Sequence, residues 1–245
     1  MARTVIIAQA RTGSTRLPGK VLALVAGRPI VEHVLCRAMA VGGADAVCLA
    51  TTDLAADDGV AEIGRRLGAA VVRGSASDVL GRYALAARET RADIVMRLTC
   101  DCPLIDPEVC AAVLALRHRT SSDYAANVIR RDWPQGLDCE AFTAAFLAEA
   151  AARATEPYDR EHVTPWIRRH APKQANLEGP GAPASEQRWV VDYPEDLEFV
   201  RAVMDRLPPW PALPGWRAVL AVLEREPGLL ALNAARREST LVSPR

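Results

Sequence analysis

Four short apolar runs, each followed by a stretch of helical periodicity, restrict this chain to a small set of folds. The runs are Thr4–Gln9, Ala46–Thr51, Ala69–Arg73 and Asp93–Leu98. The helical patterns predicted beside them are Ile30–Ala40, Asp57–Leu67, Asp78–Thr90 and Pro107–His118. Strands that alternate with helices build βαβ units, and the strands of such units lie parallel. Runs without polar alternation suit strands covered on both faces. The expected class is therefore α/β, with a doubly wound and mostly parallel sheet. Half of the 245 residues are apolar, enough for one sizeable core or a main domain with a small appendage.

The second half is less regular. Asp123–Asn127 reads as a strand, and Arg130–Gly136, with its Trp133-Pro134 step, as a small β excursion or hairpin. Ala141–Arg153 is Ala-rich and reads as a helix, as does Arg160–His170. Gly179, Pro180, Gly181 and Pro183 make Asn176–Gln187 a loop. A short strand is expected at Arg188–Val191, then a helix over Pro194–Leu207 with Pro in its first turn. Pro208, Pro209, Pro211 and Pro214 interrupt the chain before two terminal helices, Trp216–Glu226 and Gly228–Arg237, whose docking the pattern does not fix. The expected division is a main domain over 1–207, including the excursion at about 128–142, and a Pro-rich linker with helical extension over 208–245.

Lys+Arg and Asp+Glu each number 30. A neutral chain does not advertise nucleic acid or an anionic membrane as partner. The apolar run at Thr4–Ala8 leads into Arg11, Arg16 and Lys20 rather than a signal-peptide cleavage site. With no bilayer-length apolar stretch either, the expectation is a cytoplasmic protein whose six scattered cysteines are reduced thiols. Cys100 and Cys102 flank Asp101, but no second Cys/His pair has the spacing of a zinc site.

One loop concentrates positive charge. The segment Gln9-Ala-Arg-Thr-Gly-Ser-Thr-Arg-Leu-Pro-Gly-Lys20 follows the first strand directly. Ligands of open α/β sheets bind at the carboxyl ends of strands. Gly13 and Gly19 allow a close backbone approach, and Ser14, Thr15, Arg11, Arg16 and Lys20 supply donors and charge. A triphosphate cradle fits this composition; a solvated basic turn is the competing reading. It is not a P-loop, because five residues separate the glycines and Val21 follows Lys20.

Two aspartates end predicted strands on the same side of the sheet: Asp101 in Thr99-Cys-Asp-Cys-Pro and Asp192 in Val190-Val-Asp-Tyr-Pro. Mg²⁺ takes one or two carboxylates plus phosphate oxygens and water, so these two beside a triphosphate could hold it. Turn or helix-cap roles compete, most evenly at Asp192, two residues before Pro194. Elsewhere His33, His118, Trp133, Trp189 and Cys102 read as structural, surface or packing residues. His162, among Arg160, Glu161, Arg168 and Arg169, is either solvated helix face or part of a clamp for an anionic acceptor.

Taken in order, the Gln9–Lys20 loop, Ala50-Thr-Thr-Asp53, Arg73-Gly-Ser75, Asp78-Val-Leu-Gly-Arg-Tyr83, Asp101-Cys-Pro-Leu-Ile-Asp-Pro107, Gly136-Leu-Asp138, Arg160-Glu-His-Val-Thr-Pro165 and Asp192-Tyr-Pro-Glu-Asp-Leu197 resemble the cytidylyltransferase family that includes CMP-Kdo and CMP-sialic acid synthetases. The closer resemblance is to the spore-coat polysaccharide (SpsF-like) branch, and it runs from about Thr4 to Leu207. It implies a Rossmann-like nucleotidyltransferase fold, a homodimer formed through the excursion, and transfer of CMP from CTP to an acidic sugar or other small acid, phosphonates included, with Mg²⁺ as cofactor. By motif, Arg11, Lys20 and Asp101 would be catalytic. Ala8, Gln9, Ala10, Arg11, Gly13, Ser14, Lys20 and Thr99 would line the nucleotide site, with Thr51, Thr52 and Arg73 near base or ribose. Asp101 and Asp192 would hold Mg²⁺, and Arg82, Asp138, Glu140 and His162 would face the acceptor. Cys100 stands where the family usually has Gly, and Tyr193 where a small Thr is common. Guanylyl or uridylyl transfer on the same fold is the alternative chemistry. A sugar-nucleotide-dependent glycosyltransferase would need a DxD motif at a strand end, which Asp101-Cys-Pro does not supply.

Overall fold

A computed structural model describes residues 2–241, with side chains to 237. The strands are β1 (Thr4–Gln9), β2 (Leu24–Val25), β3 (Arg28–Pro29), β4 (Ala46–Thr52), β5 (Ala70–Gly74), β6 (Ile94–Thr99), β7 (Tyr124–Ala126), β8 (Glu140–Thr143) and β9 (Gln174–Asn176). The helices are α1 (Ile30–Met39), α2 (Asp58–Arg66), α3 (Val79–Glu89), α4 (Pro107–Thr120), α5 (Ala144–Arg153), α6 (Pro157–His162), α7 (Thr164–His170), α8 (Pro194–Met204), α9 (Trp216–Arg225) and α10 (Ala234–Leu241). Residues 242–245 of the expected C-terminal extension lie outside the described residues.

Seven strands share one sheet in the order β5-β4-β1-β6-β8-β7-β9. The first four run parallel, as the alternating pattern predicts. β8 enters antiparallel to both β6 and β7, and β9 closes the edge parallel to β7. Side chains of β1 divide the core by the strand's period of two. Ile6 and Ala8 join one apolar layer with α1, α2, α4, α8 and α9. Val5 and Ile7 join the other with α3, α5 and α7. Among the described residues no helix is long and apolar enough to cross a membrane.

Several local expectations are corrected. Arg130–Gly136 is an irregular loop, not a hairpin, and Trp133 from it is buried edge-to-face on Trp216, with ring centroids 5.3 Å apart. Ala141–Thr143 belongs to β8 rather than to a helix, because Ala141 and Phe142 pair with Met96 and Val95 of β6. The helix expected over Arg160–His170 is two, α6 and α7, broken at Val163. Arg188–Val191 is extended but makes only one isolated bridge, between Gln135 and Arg188, since loops flank it. Gly228–Arg237 is a short 3₁₀ turn followed by α10.

The C-terminal helices pack on the main body. Val219, Val222 and Leu223 of α9 are buried in the same layer as α1, α4 and α8. Asp106 makes the junction. Its Oδ1 accepts from the Glu108 and Val109 amides at 2.7 and 3.3 Å, capping α4. Its Oδ2 accepts from the Trp216 amide at 2.7 Å, at the start of α9. Asp106→Ala therefore removes a cap and an interhelix anchor together. We expect it to lower unfolding free energy by about 1–3 kcal/mol, read from the urea midpoint; Asp106→Asn, with one acceptor oxygen and an amide N–H₂ in place of the other, should keep the α4 cap, lose the Trp216 anchor and fall between the two.

Candidate active site

The loop after β1 turns back on itself through Thr12. Its carbonyl accepts from the Ser14 and Gly19 amides at 2.8 and 2.9 Å. Its own amide and hydroxyl both donate to Oδ1 of the buried Asp57 at 2.7 Å. Gly19 sits at φ 71°, a left-handed conformation that favours glycine, and starts the 3₁₀ turn Lys20–Leu22. That turn drives the Lys20 side chain inward, to 9% exposure.

There the Lys20 ammonium meets three acceptors: Asp101 Oδ2 at 2.9 Å, Asp192 Oδ1 at 2.8 Å and the Val191 carbonyl at 2.8 Å. Three acceptors use all its protons. Asp101 lies just past β6, whose ladder with β1 is extended by Cys100 N–H donating to Gln9 O at 2.9 Å. The Val191 amide donates to Asp101 O at 2.8 Å and fastens the second aspartate segment to the first. Asp192 accepts further from Arg16 at 2.7 Å and from Arg188 at 2.9 Å. Arg16, Lys20, Asp101 and Asp192 line a cleft of about 430 Å³ at the carboxyl ends of β1 and β6.

Burial alone would depress the Lys20 pKa, but Asp101 and Asp192 outweigh it and hold it above the ordinary lysine value. Burial alone would raise Asp101, and the Lys20 charge brings it below the ordinary carboxylate value. The Asp192 carboxyl feels the same opposition: burial raises it, while Lys20, Arg16 and Arg188 pull it down to about 2.

Two carboxylate oxygens aimed at one point form the hard-oxygen donor set that suits Mg²⁺ when phosphate and water complete the shell. Among the described residues no group of three or more His, Cys, Asp or Glu side chains has metal-site geometry, so the phosphate share of such a shell would be essential. The residues fit the cation on that condition.

Of the residues singled out from sequence, Gln9, Ala10, Arg11, Gly13, Ser14, Lys20, Thr99, Asp101 and Asp192 share this cleft. Arg11 donates to the Ala76 carbonyl at 2.9 Å and lies 4.0 Å from Glu161. Gln9 Oε1 is buried there without a hydrogen-bond partner. Ala8 is buried in β1 away from the cleft lining, and Thr51 and Thr52 are buried at the end of β4, Thr52 bonded to Asp57. Arg73 on β5 reaches the Thr52 and Leu54 carbonyls, both at 2.8 Å, and Asp58 at 2.7 Å. Arg82 is buried in α3 and donates to the Ser75 carbonyl. Neither Arg73 nor Arg82 lines a cavity beside the aspartates.

Asp138, Glu140 and His162 line a second cavity of about 650 Å³. His162 lines both cavities and so stands at their junction. Arg97, Arg131, Arg168 and Arg169 add charge to the second. Glu140 is fixed by Arg97 at 2.5 Å and by the Tyr124 hydroxyl at 2.5 Å. Next to His162, buried Val163 adopts φ 70° and ψ −57°, the rare γ-turn geometry, which strains a β-branched residue. The break it makes ends α6 with His162 facing the junction. Sequence reasoning missed Arg97 and Glu161 as site residues, although an arginine inside the apolar run of β6 was a usable signal.

A pH dependence follows from Asp192. A carboxyl with a lowered folded-state pKa contributes stability that is present above its unfolded value, near 3.8, and lost as pH falls towards about 2. Acid titration should show stability falling across that window, and Asp192→Asn should flatten the slope there while lowering stability at neutral pH.

Comparison with known proteins identifies the family. A protein-family model described as cytidylyltransferase matches residues 5–204. The spore coat polysaccharide biosynthesis protein SpsF of Bacillus subtilis is 31% identical over 82% of this chain and 85% of its own length. An uncharacterized protein of Methanocaldococcus jannaschii is 38% identical over 66% of this chain, which spans 65% of that relative. The 3-deoxy-manno-octulosonate cytidylyltransferase of Anaeromyxobacter dehalogenans is 41% identical over 46% of this chain, and less than half of that enzyme, 47%, is spanned. Among solved structures, a cytidylyltransferase from Leptospira borgpetersenii superposes with a TM-score of 0.87, 28% identity and coverage of 94% of this chain and 97% of that one. The CMP:2-keto-3-deoxy-manno-octonic acid synthetase complexed with CTP, at TM-score 0.64 and 22% identity over 84% of this chain and 99% of that one, shares the fold. On the family match and the SpsF relationship together, the chain belongs to the cytidylyltransferase family of nucleotidyltransferases.

Proposed function

We propose that this protein transfers CMP from CTP to a small acidic acceptor, such as an acidic sugar, and releases pyrophosphate. The observation that carries the reading is the meeting of two cavities at His162, one built around Lys20 and two aspartates, the other lined by four arginines. The first suits a triphosphate. The second suits an anion, because guanidinium groups bind carboxylate and phosphate in bidentate geometry. Of those arginines, Arg97 is paired with Glu140, Arg131 with Asp138 and Arg169 with Asp159. We assign Arg168 to the acceptor, with Asp138 and Glu140 as acceptors for its hydroxyl groups. The buried, unpartnered Gln9 Oε1 supports a base that offers a donor, as the cytosine amine does.

In the proposed reaction an acceptor oxygen attacks the α-phosphorus in line. A new P–O bond forms as the α–β anhydride bond breaks, and the electron pair leaves with pyrophosphate. Such chemistry depends on positioning and on neutralising charge. Arg11, Arg16 and Lys20 would hold the triphosphate, and Lys20 would shift from the aspartates toward the leaving phosphates. Mg²⁺ held by Asp101 and Asp192 would supply Lewis-acid polarisation of the α-phosphate. Where the acceptor is a hydroxyl, His162 at the cavity junction, or Glu161 on the first cavity, is available to take its proton.

Pyrophosphate release should be tested with each NTP against a panel of acidic acceptors, with and without Mg²⁺. We expect turnover with CTP, dependent on the divalent cation. Stabilisation and turnover with GTP or UTP alone would replace cytidylyl transfer by another nucleotidyl transfer. Lys20→Ala and Asp101→Asn should each lower kcat by about 10²–10³, and near-normal turnover in Asp101→Asn would reject its role with the metal. Arg168→Ala should raise KM for the acceptor and leave KM for CTP unchanged.

A further inference from the structure

The C-terminal segment beyond the family match reaches the back of the aspartate site. Asn233, just before α10, is 1% exposed although its side chain is polar. Its amide nitrogen donates to the Arg188 carbonyl at 2.9 Å and to Asp196 Oδ1 at 3.2 Å. Asp196 is fully buried and binds Arg188 in a fork: Nε to Oδ1 and Nη2 to Oδ2, both at 2.9 Å. The same Oδ2 accepts from the Asp192 and Tyr193 amides at 3.0 and 3.1 Å. Arg188 Nη2 also donates to Asp192 Oδ2 at 2.9 Å, and Nη1 donates to Gln135 at 3.0 Å. One oxygen of Asp192 is thus held from behind, and the other, Oδ1, faces Lys20.

Tyr193 adds a second link. The Arg236 guanidinium, on α10, lies 4.0 Å from its ring centroid, and the Arg16 guanidinium of the cleft loop lies 5.2 Å from it. Arg236 also pairs with Glu195 at 3.0 Å. The large ring where the family commonly has Thr is therefore a contact shared by the cleft loop and the C-terminal helix.

We propose that Asn233 is a positioning residue for Asp192: acting through Asp196 and Arg188, it sets the carboxylate so that Oδ1 presents to the divalent cation and the nucleotide phosphates. The inference rests on the reading of Asp192 as a cation ligand. Supports of this kind orient a metal-binding carboxylate, and their loss commonly weakens metal affinity 10–100-fold.

The test is Mn²⁺ affinity in the presence of CTP, measured by electron paramagnetic resonance on the full chain. Asn233→Asp is nearly isosteric but replaces the donor with a carboxylate facing Asp196. It should weaken Mn²⁺ binding about tenfold or more while circular dichroism stays that of the wild type. Asn233→Ala adds no charge, should act in the same direction, and serves if the aspartate variant does not fold. Leu223→Ala, buried in α9 away from the site, controls for general destabilisation and should lower Tm with no change in Mn²⁺ affinity. Wild-type affinity in both Asn233 variants overturns the proposal, as does an equal weakening in Leu223→Ala. Absence of Mn²⁺ binding in the wild type would instead remove the metal reading of Asp192, and the inference with it.

Discussion

The Lys20 ammonium, held between Asp101 and Asp192, is the contact on which the site depends. It joins three segments that lie 81 and 172 positions apart in the chain. The group is balanced in charge: Lys20, Arg16 and Arg188 stand against Asp101, Asp192 and Asp196. In a buried cluster, removing one member strands the others, which commonly costs about 3–5 kcal/mol. Replacing the whole group with apolar side chains would cost far less, so the cluster is weak evidence for stability alone. Its value is in preorganisation. On the proposed reading, charges that would receive a triphosphate and its cation are held together at the cleft before either arrives.

The sheet explains why these segments meet. β1 and β6 are adjacent and parallel, so the loop after one and the turn after the other emerge side by side. The Arg188–Asp192 segment has no strand partner of its own and is drawn in by the Asp101 carbonyl and the Gln135 loop. Gly136 allows this approach, since a Cβ there would stand 2.7 Å from the backbone of Trp189 and Val190. The Gln135–Gly136 turn thus helps to hold the segment that carries Asp192.

Much of this was legible in the sequence, for specific reasons. The four parallel strands were, because each is a continuous apolar run followed by a helical period. The Gln9–Lys20 loop and Asp101 were, because charge and glycine gathered after β1 and β6; Asp192 was singled out as the end of a strand that the structure does not form, and it reaches the cleft through the Val191–Asp101 and Gln135 contacts instead. β8 was not, because Ala141 favours a helix in isolation and only pairing with β6 overrides that preference. The break at Val163 was not, because nothing in a β-branched residue signals φ 70°. Arg188 was read only as part of a short strand, and Asn233 was hidden in a tail of uncertain docking. Their partners, Asp196 and Asp192, become visible only when the chain is folded.

The Lys20–Asp101–Asp192 cluster is proposed as the receiving site for CTP and its cation. The most direct measurement is a crystal structure grown with CTP and Mn²⁺, with the metal located by anomalous scattering. Mn²⁺ is expected between Asp101, Asp192 and the triphosphate, with Lys20 turned from the aspartates onto a phosphate. Nucleotide bound elsewhere, or Mn²⁺ bound without either aspartate, would contradict it.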